Sequence, residues 1–164
     1  MAVIVALAVL GAAGCSTAKK TAAANASASK PTTTAPTSNL HFDPATGLCA
    51  PYVNAGVPGT WQVSAPRSDG GPATRPGQAA EVGLRLKPDT GGPGSISAYV
   101  RVIAPDGTSV SSIAPSLQVG DWGFRMYPTD FGAATNLSEP GLYTVVWTKD
   151  PTGEFLACDG WVAG

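Results

Sequence analysis

The sequence predicts a small all-β domain, a sandwich or barrel of antiparallel strands, set behind a long non-globular front end. From Thr60 onward, short segments of alternating apolar and polar residues recur with turn residues between them. Gly 20 and Pro 15 in 164 residues supply many turns, while 43% hydrophobic residues supply the core that a disordered chain lacks. A helix-rich fold suits that balance poorly. With residues 1–39 set aside, the length leaves room for one ordinary domain and no interdomain cleft.

The strands follow in order. Trp61-Gln62-Val63-Ser64 is the first, and the Gly/Pro-rich passage at 66–77 is expected to be an exposed loop. Residues 78–87 put Ala80, Val82, Leu84 and Leu86 on one face and Glu81, Gly83, Arg85 and Lys87 on the other, the alternation of a half-buried strand. After a turn at 89–94, Ile96, Ala98, Val100 and Val102 alternate with Ser97, Tyr99 and Arg101. Pro105-Asp106-Gly107 reads as a hairpin turn, since proline presets the first corner and Asp-Gly tolerates the positive φ that follows. Strands are then expected over 108–113 and 117–127, the latter with Trp122, Phe124 and Met126 forming the apolar face and Gly123, Arg125 and Tyr127 opposing it. The last two span 142–148 and 154–162, joined by Asp150-Pro151-Thr152-Gly153.

Ahead of the penultimate strand, Leu137-Ser138-Glu139-Pro140-Gly141-Leu142-Tyr143-Thr144-Val145 resembles the tyrosine-corner approach of immunoglobulin-like domains. There an acidic residue and a glycine precede a tyrosine whose hydroxyl bonds back to the corner. The resemblance covers about ten residues and implies an immunoglobulin-like antiparallel β-sandwich over 40–164, with Tyr143 in the corner. Val145 stands where antibody domains carry cysteine, so any disulfide is placed elsewhere.

The front end carries the address. Residues 2–13, AVIVALAVLGAA, form an apolar run followed at once by Gly14-Cys15-Ser16. A spanning helix needs about 20 apolar residues, so the run matches the core of an export signal. Ala12-Ala13-Gly14-Cys15 resembles the lipobox of bacterial lipoproteins, usually Leu-Ala-Gly-Cys, in which small residues fit the signal peptidase and the cysteine sulfur takes a diacylglycerol. That resemblance implies a signal peptide over 1–14, acylation of Cys15, and a lipid-anchored position on the extracytoplasmic side of the cell membrane. Ala12 replaces the usual leucine. Residues 1–10 also lack the Lys or Arg of a signal's positive end, which places the expected start upstream of Met1 or makes Met1 a mis-assigned start. The competing reading, Cys15 as a small buried residue of a core helix, leaves the next segment unexplained. Residues 16–39 (STAKKTAAANASASKPTTTAPTSN) contain no aromatic residue and too little apolar surface to offset chain entropy, so 15–39 is expected to be a flexible linker.

With Cys15 acylated, Cys49 and Cys158 remain as an even pair, which in an exported protein reads as a disulfide. Two free thiols or a metal pair is the alternative, but His41 is the sole histidine and no Cys or His is spaced for zinc. No cofactor is expected.

A net charge of -1 with 13% charged residues offers no basic field for nucleic acid. Nucleophilic catalysis would need His41 beside a serine, and His41 sits at the linker's end. Glu81, Asp121, Asp130, Glu139 and Asp159 could supply a glycosidase pair, yet no two stand out, and Asp106 and Asp150 read as turn formers. Surface recognition is the expected class, without enzymatic activity. Its carriers are aromatics and arginines that alternation turns outward: Tyr99 and Arg101, then Arg125 and Tyr127. In the last strand Phe155 and Trp161 alternate against Leu156, Cys158 and Val162; burying Cys158 would turn both rings out as an apolar patch. The other reading has both rings covered by residues 49–58 or filling the sandwich ends. The expected function is a membrane-anchored binding module on the cell envelope, its partner an envelope protein or glycan. The rivals are a small exported carbohydrate- or envelope-processing hydrolase, a phage-encoded lipoprotein that masks an envelope component, and a structural spacer.

Overall fold

Alternation alone sets most of the strands, and the pairing between them decides which face of each is buried. A computed structural model describes residues 37–66, 75, 78–88, 90–132, 139–151 and 153–164. The expected signal, Cys15, the linker up to residue 36 and most of the loop at 66–77 lie outside the described residues. The strands are β1 (His41–Asp43), β2 (Leu48–Ala50), β3 (Trp61–Ser64), β4 (Ala80–Leu86), β5 (Ser95–Ile103), β6 (Ser109–Gln118), β7 (Trp122–Tyr127), β8 (Gly141–Thr148) and β9 (Phe155–Ala163). Among the described residues the only helical pieces are 3-10 turns at Thr37–Asn39 and Thr129–Phe131, and no helix is long and apolar enough to cross a membrane.

Every pairing is antiparallel. One sheet runs β3-β4-β7, a second runs β6-β5-β8-β9, and β1-β2 forms a separate hairpin. The core is shared by both larger sheets: Val82 and Leu84 from β4, Val100 and Val102 from β5, Val145 and Trp147 from β8, and Trp161 from β9 all lie within it. The fold is thus an all-β antiparallel sandwich. Each such side chain contributes about 1.5–3 kcal/mol when fully withdrawn from water.

The Pro105-Asp106-Gly107 turn closes the β5-β6 hairpin as expected. Gly107 takes φ 85 and donates its N–H to the Ala104 carbonyl at 2.9 Å. Asp106 Oδ1 accepts from the Thr108 hydroxyl at 2.7 Å and the Thr108 N–H at 2.8 Å, and these bonds hold its carboxyl below the usual range.

The stretch at 117–127 is not one strand. Leu117 and Gln118 end β6, Gly120 turns at φ 93, and β7 begins at Trp122. The faces of β7 are also the reverse of those expected. Ala80, Val82 and Leu84 stand opposite Tyr127, Arg125 and Gly123. Residues directly opposite share a face. Because β4 turns its aliphatic side chains inward, Tyr127 goes in with them, 2% exposed, while Trp122 and Phe124 go out. Tyr127 packs edge-on against Phe131, Tyr143 and Trp161, so it belongs to the core and not to a binding surface.

A bulge overturns the reading of β9. Trp147 pairs with Ala157 but Thr148 pairs with Phe155, so Leu156 is an extra residue and the alternation reverses there. Phe155 and Trp161 consequently fall on opposite faces. Trp161, 2% exposed, stacks on Tyr143 at 4.8 Å inside the sandwich. Phe155, 8% exposed, packs on the outer side with Leu40, Val53 and Val146, beside Cys49 and Cys158. The two rings do not form an exposed patch. The covered reading holds for Phe155, whose carbonyl accepts from the Gly56 N–H at 2.8 Å.

What covers the outer side of β8 and β9 is the N-terminal hairpin. Phe42 is fully buried and lies against Gly160, where a Cβ would come within 2.7 Å of its ring. Its N–H donates to Thr144 Oγ1 at 2.9 Å. The Cys49–Cys158 disulfide fixes this layer, with a Cα–Cα distance of 6.1 Å and a sequence separation of 109.

Two stability predictions follow from this packing. In urea titrations Trp161→Ala is expected to cost about 3–5 kcal/mol, and replacing both Cys49 and Cys158 by Ala up to about 4.7 kcal/mol, the loop-closure value for a ring of about 100 residues; a Trp161→Ala midpoint equal to that of the parent would place that ring outside the core. Burial raises the hydroxyl pKa of Tyr127 and Tyr143. A raised folded pKa stabilises at pH below the unfolded value, about 10, and that contribution is lost as pH climbs through the folded value. Stability should therefore fall steeply above about pH 10, and Tyr143→Phe should make that fall shallower.

Candidate functional site

Among the described residues three surface features stand out once the core is accounted for. One is a solvent-open groove of about 400 Å³ between β3 and β9, roofed in part by the segment that follows β2. Trp61 and Val63 form one wall, Phe155 and Leu156 the other, and Leu48 and Tyr52 stand at its margin. Among the described residues no charged side chain lines it. Leu48 is 60% and Tyr52 76% exposed, high for large apolar groups. Trp61 is oriented by its indole N–H, which donates to the Val57 carbonyl at 3.2 Å. Both disulfide cysteines line the groove, so the bridge forms part of its wall. Such a surface takes an apolar group and excludes an ion.

The outer face of the three-stranded sheet carries the second feature. Trp122 and Phe124 stack at 5.5 Å with their planes 14° apart, both more than a third exposed. Phe124 stands opposite Gly83, and a Cβ there would lie 2.5 Å from the Phe124 ring. The ring thus shields a strand segment that has no side chain of its own.

The third is a small pocket on the outer face of the four-stranded sheet. Cross-strand register builds it: Tyr99 pairs with Thr148 and Ile113, and Arg101 pairs with Val146 and Ser111. The pocket holds about 60 Å³, with Thr37 and Pro151 also in its lining. Of the residues expected to form a recognition surface, Tyr99 and Arg101 are the pair that the structure brings into one pocket.

Arg125 is committed elsewhere. Its Nε donates to the Ile113 carbonyl at 2.8 Å, Nη2 donates to the same oxygen, and Nη1 donates to the Phe124 carbonyl at 2.8 Å. It staples β7 to β6 where the two sheets meet, so its guanidinium serves the fold. The carboxylates do not converge on either described cavity, since neither is lined by an Asp, Glu or His. Asp130 Oδ2 accepts the Met126 N–H at 2.7 Å, Asp159 is buried, and Glu81 and Asp121 are exposed. Among the described residues no cluster of three or more His, Cys, Asp or Glu could hold a metal ion.

The groove was missed in the sequence because residues 49–58 read only as a cover for the last strand. Its signal was present in Leu48 and Tyr52, large apolar residues in a Gly/Pro-rich segment too short to bury them. Comparison of the chain with protein-family models, curated proteins and solved structures finds no match.

Arg125→Ala is expected to lower stability by about 1.5–3 kcal/mol, the range for hydrogen bonds from a charged donor. Equilibrium unfolding checks this, and an unchanged stability would return Arg125 to the candidate surface.

Proposed function

We propose that this chain is a lipid-anchored extracytoplasmic protein whose immunoglobulin-like sandwich binds a component of the cell envelope through the groove between β3 and β9. The observation that carries the reading is the groove itself: about 400 Å³, apolar, open to solvent, and flanked by exposed Leu48 and Tyr52. A monomeric domain rarely leaves such a surface to water without a partner. The apolar character of the described lining suits an apolar segment of an envelope protein better than a glycan.

The address rests on separate support. Ala12-Ala13-Gly14-Cys15 follows an apolar run of signal length, and the Cys49–Cys158 bridge belongs to an oxidising compartment. The immunoglobulin-like reading is supported by the Tyr143 hydroxyl, which donates to the Glu139 carbonyl at 3.0 Å. The strand order β3-β4-β7 against β6-β5-β8-β9 supports it too.

The anchor and the groove are tested separately. Cys15→Ala should move the protein from the detergent phase to the aqueous phase in Triton X-114 partitioning, and globomycin should block processing of the parent; unchanged partitioning and processing would remove the lipid anchor. A photo-crosslinking residue placed at position 52 on intact cells should give a discrete adduct that is missing when the same residue replaces Asp121. Equal capture from both positions would show that the groove is not the binding face.

A further inference from the structure

We propose that the pocket formed by Tyr99, Arg101, Ser111 and Thr148 is a binding site for a single carboxylate group. The inference goes beyond the groove, which lies at the sandwich edge and shares no lining residue with this pocket.

Among the described residues Arg101 is a cation without a counter-ion. Arg101 is half-buried on the outer face of the four-stranded sheet, and no Asp or Glu among the described residues lines its pocket. Its one hydrogen bond among the described residues runs from Nη2 to the Thr37 carbonyl at 2.6 Å. The Nε is buried without a partner. Withdrawing a guanidinium from water costs free energy unless an anion or several acceptors replace the solvent. Here one neutral carbonyl does so, and desolvation lowers the Arg101 pKa accordingly. The positive charge is held in place and left under-compensated.

The rest of the lining supplies what an anion needs. The Tyr99 and Ser111 hydroxyls border the same space and donate to no group among the described residues. The Thr148 hydroxyl is already used, donating to the Asp150 carbonyl at 2.6 Å. Hydroxyl donors beside a planar guanidinium suit a planar, forked acceptor.

Size and charge then select among anions. A cavity of about 60 Å³ suits a small head group, since on the same measure one water needs about 10–15 Å³. A single guanidinium with neutral neighbours balances one negative charge. A phosphate dianion would leave the second uncompensated. The fit is therefore to a carboxylate at the end of a chain, with the remainder of the ligand outside over Pro151 and the exposed Ile113.

The test uses the full chain in detergent micelles and follows the Arg101 Nε–Hε resonance and the Tyr99 and Ser111 amides by nitrogen-15 NMR. Sodium acetate and N-acetylalanine should shift them saturably, while sodium chloride at equal ionic strength and N-acetylalanine amide should not. A stronger response to N-acetylalanine than to acetate would identify the chain terminus of a peptide as the source; equal responses would identify a small free acid. Arg101→Gln should weaken binding by about tenfold or more, the usual loss for a charged hydrogen bond. Tyr99→Phe, which retains the ring and the cation, should weaken it less and decides the matter if Arg101→Gln does not fold. Equal shifts with chloride would show an adventitious ion only, and tighter binding of inorganic phosphate than of acetate would overturn the carboxylate assignment. A negative result here with discrete capture at position 52 would leave the groove standing, and the reverse outcome would leave this pocket standing.

Discussion

The strand that ends the chain is buried on both of its faces, and the arrangement of the whole domain answers to that constraint. Trp161 and Leu156 fill the space between the sheets, while Phe155 and Cys158 point the other way. An edge strand of a two-layer sandwich normally shows one face to water. Here the second face is too apolar for that, and a third layer is required. Residues 37–58 supply it through Leu40, Phe42 and Val53, which are all buried. The disulfide adds a covalent tie to a layer whose own strands are only three residues long and whose other attachments are buried side chains and single hydrogen bonds.

The same constraint explains which parts of the fold can be read from sequence. For β4 and β5 the apolar set falls on one alternation and the polar set on the other, so both strand and face are legible: Val82 and Leu84, Val100 and Val102 go inward as the pattern requires. In β7 both alternations carry large apolar groups, Trp122 and Phe124 on one and Tyr127 on the other. Nothing local to β7 distinguishes them. The decision is made by β4, whose aliphatic face forces its partner's register and puts Tyr127 inside. In β9 the alternation itself is broken, because one extra residue at Leu156 separates Phe155 from Trp161. A bulge leaves no compositional mark when the inserted residue is as apolar as its neighbours. Both failures have one cause, that pairing carries information which a single strand does not. The β1-β2 hairpin escaped notice for a related reason, since its strands are too short to establish an alternation.

Of the candidate recognition residues, Tyr99 and Arg101 stay at the outer face because β5 keeps an ordinary alternation, and the N-terminal layer borders them there through Thr37, whose carbonyl accepts from Arg101. Arg125 shares the polar character that made it a candidate, but it stands at the inward-facing register of β7, near the rim of the sandwich. Its long side chain reaches the Ile113 carbonyl and closes the space between sheets. An arginine's chemistry is thus no guide to its role until the strand's facing is known, since the same donors serve a ligand in one place and a backbone carbonyl in the other.

The covalent bridge and the groove are not independent features. Cys49 and Cys158 stand in the groove's wall, and Phe155, the residue that obliges the third layer to exist, forms part of its surface. The segment after β2 is attached at its start by the disulfide and further on by the bond from Gly56 to Phe155. Tyr52 lies between those two attachments, so the position of an exposed ring is set by groups whose first task is to cover β9. Cutting the bridge would release this segment before it disturbed the core between the sheets, because local opening takes the layer with the fewest buried contacts. The groove, whose wall contains the bridge, is for that reason sensitive to reduction of Cys49–Cys158.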